Sequence, residues 1–116
     1  MDDAWACEAG EWLRRLRAET EQRAAALEAG FDAVVDAASD VATDDEHDPE
    51  GHTIAWERQQ IAGLLDAARA TLAAIDSAEE RLAGGTYGIC AACACSISEA
   101  RLAALPTTET CVGCAP

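Results

Sequence analysis

Cys90-Ala-Ala-Cys93 and Cys111-Val-Gly-Cys114 are two Cys-x-x-Cys pairs separated by seventeen residues. Two such pairs at this distance form a tetrathiolate zinc signature. Zn²⁺ takes four ligands in a tetrahedron, and thiolate sulfur at ~2.3 Å suits it. Each pair makes a short knuckle, and two knuckles supply four vertices. Cys90, Cys93, Cys111 and Cys114 are therefore the expected ligands of one structural zinc. The plainer readings of the same residues are two disulfides or four reduced thiols. Cys95 puts a fifth thiol beside the site and reads as a spare, with ligand exchange or oxidant sensing as alternatives. Cys7 is distant in sequence and reads as an inert thiol on a helix.

Working back from the cysteines, Gly84-Gly85 is a helix stop, because glycine favours the position just past a helix C-terminus. The segment upstream, from Thr53 to about Ala83, carries Ile54, Ile61, Ala68, Ile75 and Leu82 every seven residues. Leu65 and Leu72 fill the adjacent column. Thr53 is the expected N-cap of this helix. From about Ala4 to Ala42 the pattern recurs: Leu13, Thr20, Leu27, Val34 and Val41 in one column, Arg17, Ala24, Phe31 and Ala38 beside it. A strict seven-residue repeat signals coiled-coil pairing. Thr20 and Arg17 interrupt the apolar seam, so loose packing is expected toward the N-terminal end.

Between the two helical stretches lies Thr43-Asp-Asp-Glu-His-Asp-Pro-Glu-Gly-His52. Proline, glycine and aspartate break helices and favour turns. A short connection between two long helices implies an antiparallel pair. The expected fold is mostly α: a long antiparallel coiled-coil helical hairpin with a small C-terminal C4 zinc finger. The expected domains are 1–84, the hairpin with an acidic tip at 43–52, and 85–116, the finger. Downstream of the first knuckle, Ser96 or Ser98 can cap a short helix through Ala104, with Pro106 after its end.

Composition narrows the partners. The chain has 116 residues and a net charge of −14, with 22 acids against 8 arginines and no lysine. Nucleic-acid affinity rests on clustered cations facing phosphates. No such cluster exists, so direct sequence-specific DNA binding is not expected, and a basic protein surface is the better partner. No apolar run approaches the ~18 residues of a membrane span, and the acidic N-terminus is unlike a signal peptide. With zinc-type cysteine spacing, this leads to the expectation of a cytoplasmic protein that contacts no membrane. The rings are few: Phe31, Tyr87 and three tryptophans. Trp5 and Trp12 are one heptad apart and are expected to pack against the finger. Trp56 lies just past the tip and is a candidate partner anchor.

The wider stretch resembles a known family. Gly85-Thr-Tyr-Gly-Ile-Cys90-Ala-Ala-Cys93, then Ile97, then Arg101-Leu-Ala-Ala-Leu-Pro106, then Cys111-Val-Gly-Cys114, is similar to the TraR/DksA C4-type zinc-finger family. That family's pattern runs G-x-Y-G-x-C-x-x-C-G, an isoleucine, R-L-x-A-x-P, then C-x-x-C. The resemblance implies a bacterial transcription regulator that binds RNA polymerase directly. The hairpin would enter the secondary channel, with acidic tip residues near the active site.

In the DksA branch the tip reads D-x-x-D-x-A. Here Asp45 and Asp48 match the two aspartates, Glu50 stands where alanine would be, and Asp44 and Glu46 add charge. A plainer reading of the tip is a solvated acidic turn. Ala94 replaces the glycine after the second cysteine, which implies a knuckle that turns less easily. The sequence stops at Ala115-Pro116, where DksA-type members continue into a further helix. It also lacks lysines to match those that help bind alarmone, so regulation without alarmone dependence is expected. No nucleophile–base pair or open metal position is visible, so no enzymatic activity is expected. The alternatives are a zinc-stapled structural or protein-interaction module and a thiol redox sensor.

Overall fold

The computed structural model describes residues 3–40 and 49–115. Three α-helices and one 3₁₀ turn follow in order: α1 (Asp3–Asp40), α2 (Pro49–Gly84), α3 (Glu99–Ala104), then the turn Val112–Cys114. Among the described residues there is no strand, only the isolated antiparallel bridge Ile89–Ser96. No helix among them is long and apolar enough to cross a membrane.

Helix α2 begins earlier than the sequence pattern suggests. Pro49 opens it, and Thr53, the expected N-cap, lies inside it. Proline suits a first helical turn because its missing N–H has no intrahelical partner there and its φ is already helical. Asp44, Asp45, Glu46 and Asp48 lie outside the described residues. Glu50 falls in α2, but its side chain is likewise outside what is described.

The chain divides into two compact units. The first is Met1–Glu19 with Thr71–Pro116. Here α1 and α2 run antiparallel: Gly10 faces Leu82, while Arg17 reaches Asp76 and Glu79. Its core is Ala9, Leu13, Ala78, Tyr87, Cys90, Ile97 and Leu102, with Trp5, Trp12 and Leu82 packed against it. Ile75 is also fully buried. The expected loose end is therefore tight. Arg17 keeps its guanidinium at the rim, where Nη2 lies 2.5 Å from Asp76 Oδ1 and 3.1 Å from Glu79 Oε2. Its aliphatic stem can cover the seam while the charge stays paired.

The second unit is Thr20–Ala70. Its helices also run antiparallel, with Arg69 near Glu28 and Gly30 near Ile61. Leu65 and Ala68 are buried, and Leu27, Phe31, Val34, Ile54 and Ile61 are half-buried. Thr20, read as a flaw in the seam, is fully buried. A small hydroxyl fits a helix seam when its polar atom is satisfied. No buried side-chain nitrogen or oxygen among the described residues lacks a hydrogen bond. Trp56 and Leu64 stand exposed on α2, at 58% and 57%.

Candidate metal centre

The finger starts where α2 stops. Gly85 takes φ +81°, a left-handed conformation open to glycine without steric cost. Thr86 N–H then donates to Arg81 C=O at 2.9 Å and Gly85 N–H to Leu82 C=O at 3.4 Å. This is a Schellman closure that satisfies the last carbonyls of the helix. Gly88 follows at φ +84° under the Trp5 ring. A Cβ there would lie 3.2 Å from Trp5 Cη2 and 3.4 Å from Leu102 Cδ1. The aromatic base of α1 thus sits directly on the turn into the first knuckle. Trp5 meets Trp12 edge-on, with centroids 6.2 Å apart, and Tyr87 at 5.6 Å.

Beyond Gly88 the chain doubles back on itself. Ile97 N–H donates to Gly88 C=O, and Cys90 N–H donates to Cys95 C=O, both at 2.8 Å. Inside this loop Ala94 N–H donates to Cys90 C=O at 2.9 Å. Ala94 closes the turn at φ 63°, the conformation glycine would supply more cheaply. Ser98 caps α3 by accepting from the Arg101 N–H at 3.2 Å. The second knuckle is the tight turn at Cys111, whose carbonyl accepts from the N–H of Cys114 and of Ala115.

Long-range bonds place the second knuckle against the first. Ala91 N–H donates to Glu109 C=O at 2.8 Å. The Tyr87 hydroxyl donates to Pro106 C=O at 2.8 Å. Arg81 reaches Glu109 at 2.8 Å and Thr107 C=O at 3.4 Å. Arg101 donates through Nε to Thr110 C=O at 2.9 Å. Three side chains from α2, the turn after it and α3 therefore grip the segment 106–110 that delivers Cys111. Arg101 Nη2 also reaches Thr108 Oγ1 at 3.4 Å. Arg81 and Tyr87 were not singled out for this role, although Tyr87 stands in the family pattern.

The four cysteine sulfurs converge, all lying within 4.8 Å of one another. Cys93 Sγ and Cys111 Sγ are 3.7 Å apart. A tetrahedron with Zn–S of ~2.3 Å has edges of ~3.8 Å, so the spacing fits one zinc ion. Cys90 is buried, Cys111 and Cys114 are half-buried, and Cys93 is exposed. Cys95 and Cys7 are exposed, and neither belongs to the cluster.

The electrostatics of the cluster favour a cation. Backbone N–H groups of Cys111 and Cys93 hold the Cys90 thiol down at about 6. Cys114 is pushed up to about 12 by hydrogen bonds with the Cys111, Cys93 and Cys90 sulfurs. As a group the four thiols give up a first proton readily and the last with difficulty, because each added negative charge crowds the others. A divalent ion removes that conflict, since coordination deprotonates a thiol outright. Four thiolates leave no open position for a substrate or a reactive water. The centre holds one structural zinc.

Comparison with known proteins agrees with this geometry. Residues 85–116 match the model of the prokaryotic dksA/traR C4-type zinc finger. An uncharacterized protein of Aquifex aeolicus (strain VF5) is 42% identical over 60 residues, which are 52% of this chain and 41% of that protein. The chain thus spans less than half the length of this relative. The structure of transcription factor DksA2 from Pseudomonas aeruginosa superposes with a TM-score of 0.82 at 26% identity, covering 97% of this chain and 81% of that one. The finger is thus matched in sequence to the DksA/TraR C4-type zinc finger, and nearly the whole chain is similar in fold to a DksA transcription factor.

Proposed function

We propose that this DksA/TraR-type protein regulates transcription by binding RNA polymerase directly. In this reading the hairpin enters the secondary channel and the acidic tip acts near the active site. The observation that carries it is the similarity to a transcription factor over nearly the whole chain. The net charge of −14 supports a protein partner with a basic surface and argues against promoter DNA. Asp45 and Asp48 act at the tip, with Asp44, Glu46 and Glu50 in support. Carboxylates delivered into a cation-lined channel can influence a catalytic Mg²⁺ or neighbouring basic side chains.

Cys90, Cys93, Cys111 and Cys114 are the proposed zinc ligands and fix the finger. The protein itself makes and breaks no bond, works in the cytoplasm beside the polymerase, and needs no alarmone. Purified transcription with the polymerase tests the reading, comparing wild type with the Asp45→Asn/Asp48→Asn variant. The variant should stay helical and bind polymerase, but lose most of the effect on transcript yield. Equal effects from both proteins remove the tip from the mechanism. Absence of any polymerase binding by the wild type overturns the reading altogether.

A further inference from the structure

Within the Thr20–Ala70 unit, α1 and α2 leave a groove of about 380 Å³. Its floor is apolar: half-buried Phe31 and Ala62 and buried Leu65. Its rim is charged, with Glu28 and Asp32 on α1 and Asp66 and Arg69 on α2. Glu28 and Asp32 are one helical turn apart, so both carboxylates stand on the same edge. Arg69 is only loosely held, 3.6 Å from Glu28 and 3.9 Å from Asp66. Asp32 makes no ion pair or hydrogen bond among the described residues. Three carboxylates face one guanidinium, which leaves the groove with a formal charge of −2.

We propose that this groove seats an arginine side chain presented by a protein partner. An apolar floor with an anionic rim is the complement of a side chain with an apolar stem and a cationic head. The stem lies over Leu65 and Phe31, the ring adds a cation–π attraction, and the head lies between Asp32 and Asp66. Arginine fits better than lysine, because its planar guanidinium stacks on a ring and accepts two carboxylates in fixed directions. None of the four clustered cysteines lines this groove. The identity of the partner rests on the polymerase reading, whereas the arginine chemistry rests on the groove alone.

The test uses the full zinc-loaded chain and its Asp32→Asn/Asp66→Asn variant, which keeps side-chain shape on exposed helix positions. In an NMR titration at low salt, hexa-arginine should shift the Phe31 ring and Leu65 methyl signals. Hexa-lysine should bind more weakly, and the variant should lose roughly tenfold in affinity. Unmoved Phe31 and Leu65 signals, or equal affinity for both proteins, overturns the proposal.

Core polymerase is the second probe. If wild type and variant bind it equally well, with the same salt dependence, the groove is not used and the polymerase reading stands. If the wild type fails to bind polymerase while hexa-arginine still seats, the polymerase reading falls and the groove stands. Sedimentation closes the remaining case. A wild-type dimer that dissociates in the variant shows that the occupant is a second copy, which overturns the assignment to a different protein.

Discussion

The Tyr87 hydroxyl donates to the Pro106 carbonyl at 2.8 Å across nineteen residues of sequence. The ring is buried between Trp5 and the finger core. This bond fixes the start of the segment that carries Cys111. Tyr87→Phe keeps the packing and orphans one carbonyl, and should cost about 1 kcal/mol in denaturant unfolding of the zinc-loaded protein. Tyr87→Ala adds a cavity and should cost ~3–5 kcal/mol.

Burial raises the Tyr87 pKa, opposed by the charge of Arg81. The folded state therefore holds the phenol proton more tightly than the unfolded state does. Its contribution to stability is fully present below the unfolded value of about 10 and is lost as pH rises through the folded one. Unfolding followed across alkaline pH should show this decline in wild type and lack it in Tyr87→Phe.

Ala94 offers a gain instead of a loss. Its φ of 63° places a Cβ in the left-handed region while its N–H closes the knuckle onto Cys90. A non-glycine residue there costs roughly 1–2 kcal/mol, partly offset by the greater freedom of glycine when unfolded. Ala94→Gly should raise the stability of the folded protein by about 1 kcal/mol. Ala94→Val should lower it, because a β-branched side chain tolerates that conformation worse. Thermal unfolding midpoints of the two variants against wild type decide the matter.

Much of this architecture is local and therefore readable along the chain. The four cysteines sit in two short pairs, and the heptad columns predicted Leu13, Leu65, Ala68 and Ile75 at the seam, where each is buried. The grip on segment 106–110 is not local: Arg81 meets Glu109 across twenty-eight residues, and no spacing rule links them. Thr20 was misread because a hydroxyl in an apolar column counts as a flaw until its burial and satisfaction are seen. The start of α2 was misread because proline breaks helices in their interior but begins them well. The groove beside Phe31 needs two helices in register, which neither helical pattern contains alone.

Arg17 tests whether the tight end of the first unit depends on its ion pairs. The guanidinium bridges Asp76 and Glu79 on α2 and is itself partly covered. Both carboxylates raise its pKa further, first Asp76 and then Glu79, so the guanidinium stays charged throughout the usual range. Exposed pairs are worth ~0.2–1 kcal/mol. Arg17→Met keeps the stem over the seam and should cost no more than about 1 kcal/mol. Arg17→Ala removes the stem as well and should cost more. High salt should reduce the stability of wild type while leaving Arg17→Met less affected.

Cys95 lies two residues past Cys93, close enough in sequence to compete for the metal. Yet its backbone carbonyl is what serves the knuckle, accepting from the Cys90 N–H, and its sulfur stays outside the cluster of four. Cys95→Ser should therefore retain one zinc per chain, by elemental analysis, with unchanged affinity in chelator competition. Cys111→Ser replaces a thiolate at the junction of both knuckles, 3.7 Å from Cys93. It should weaken zinc binding by more than the ~10–100-fold loss typical of outer-shell changes. Because metal affinity and folding are linked, the finger should lose amide protection along 88–97 with the metal. Full zinc retention in Cys111→Ser, abolished by adding Cys95→Ser, would instead make Cys95 a substitute ligand and redraw the centre around it.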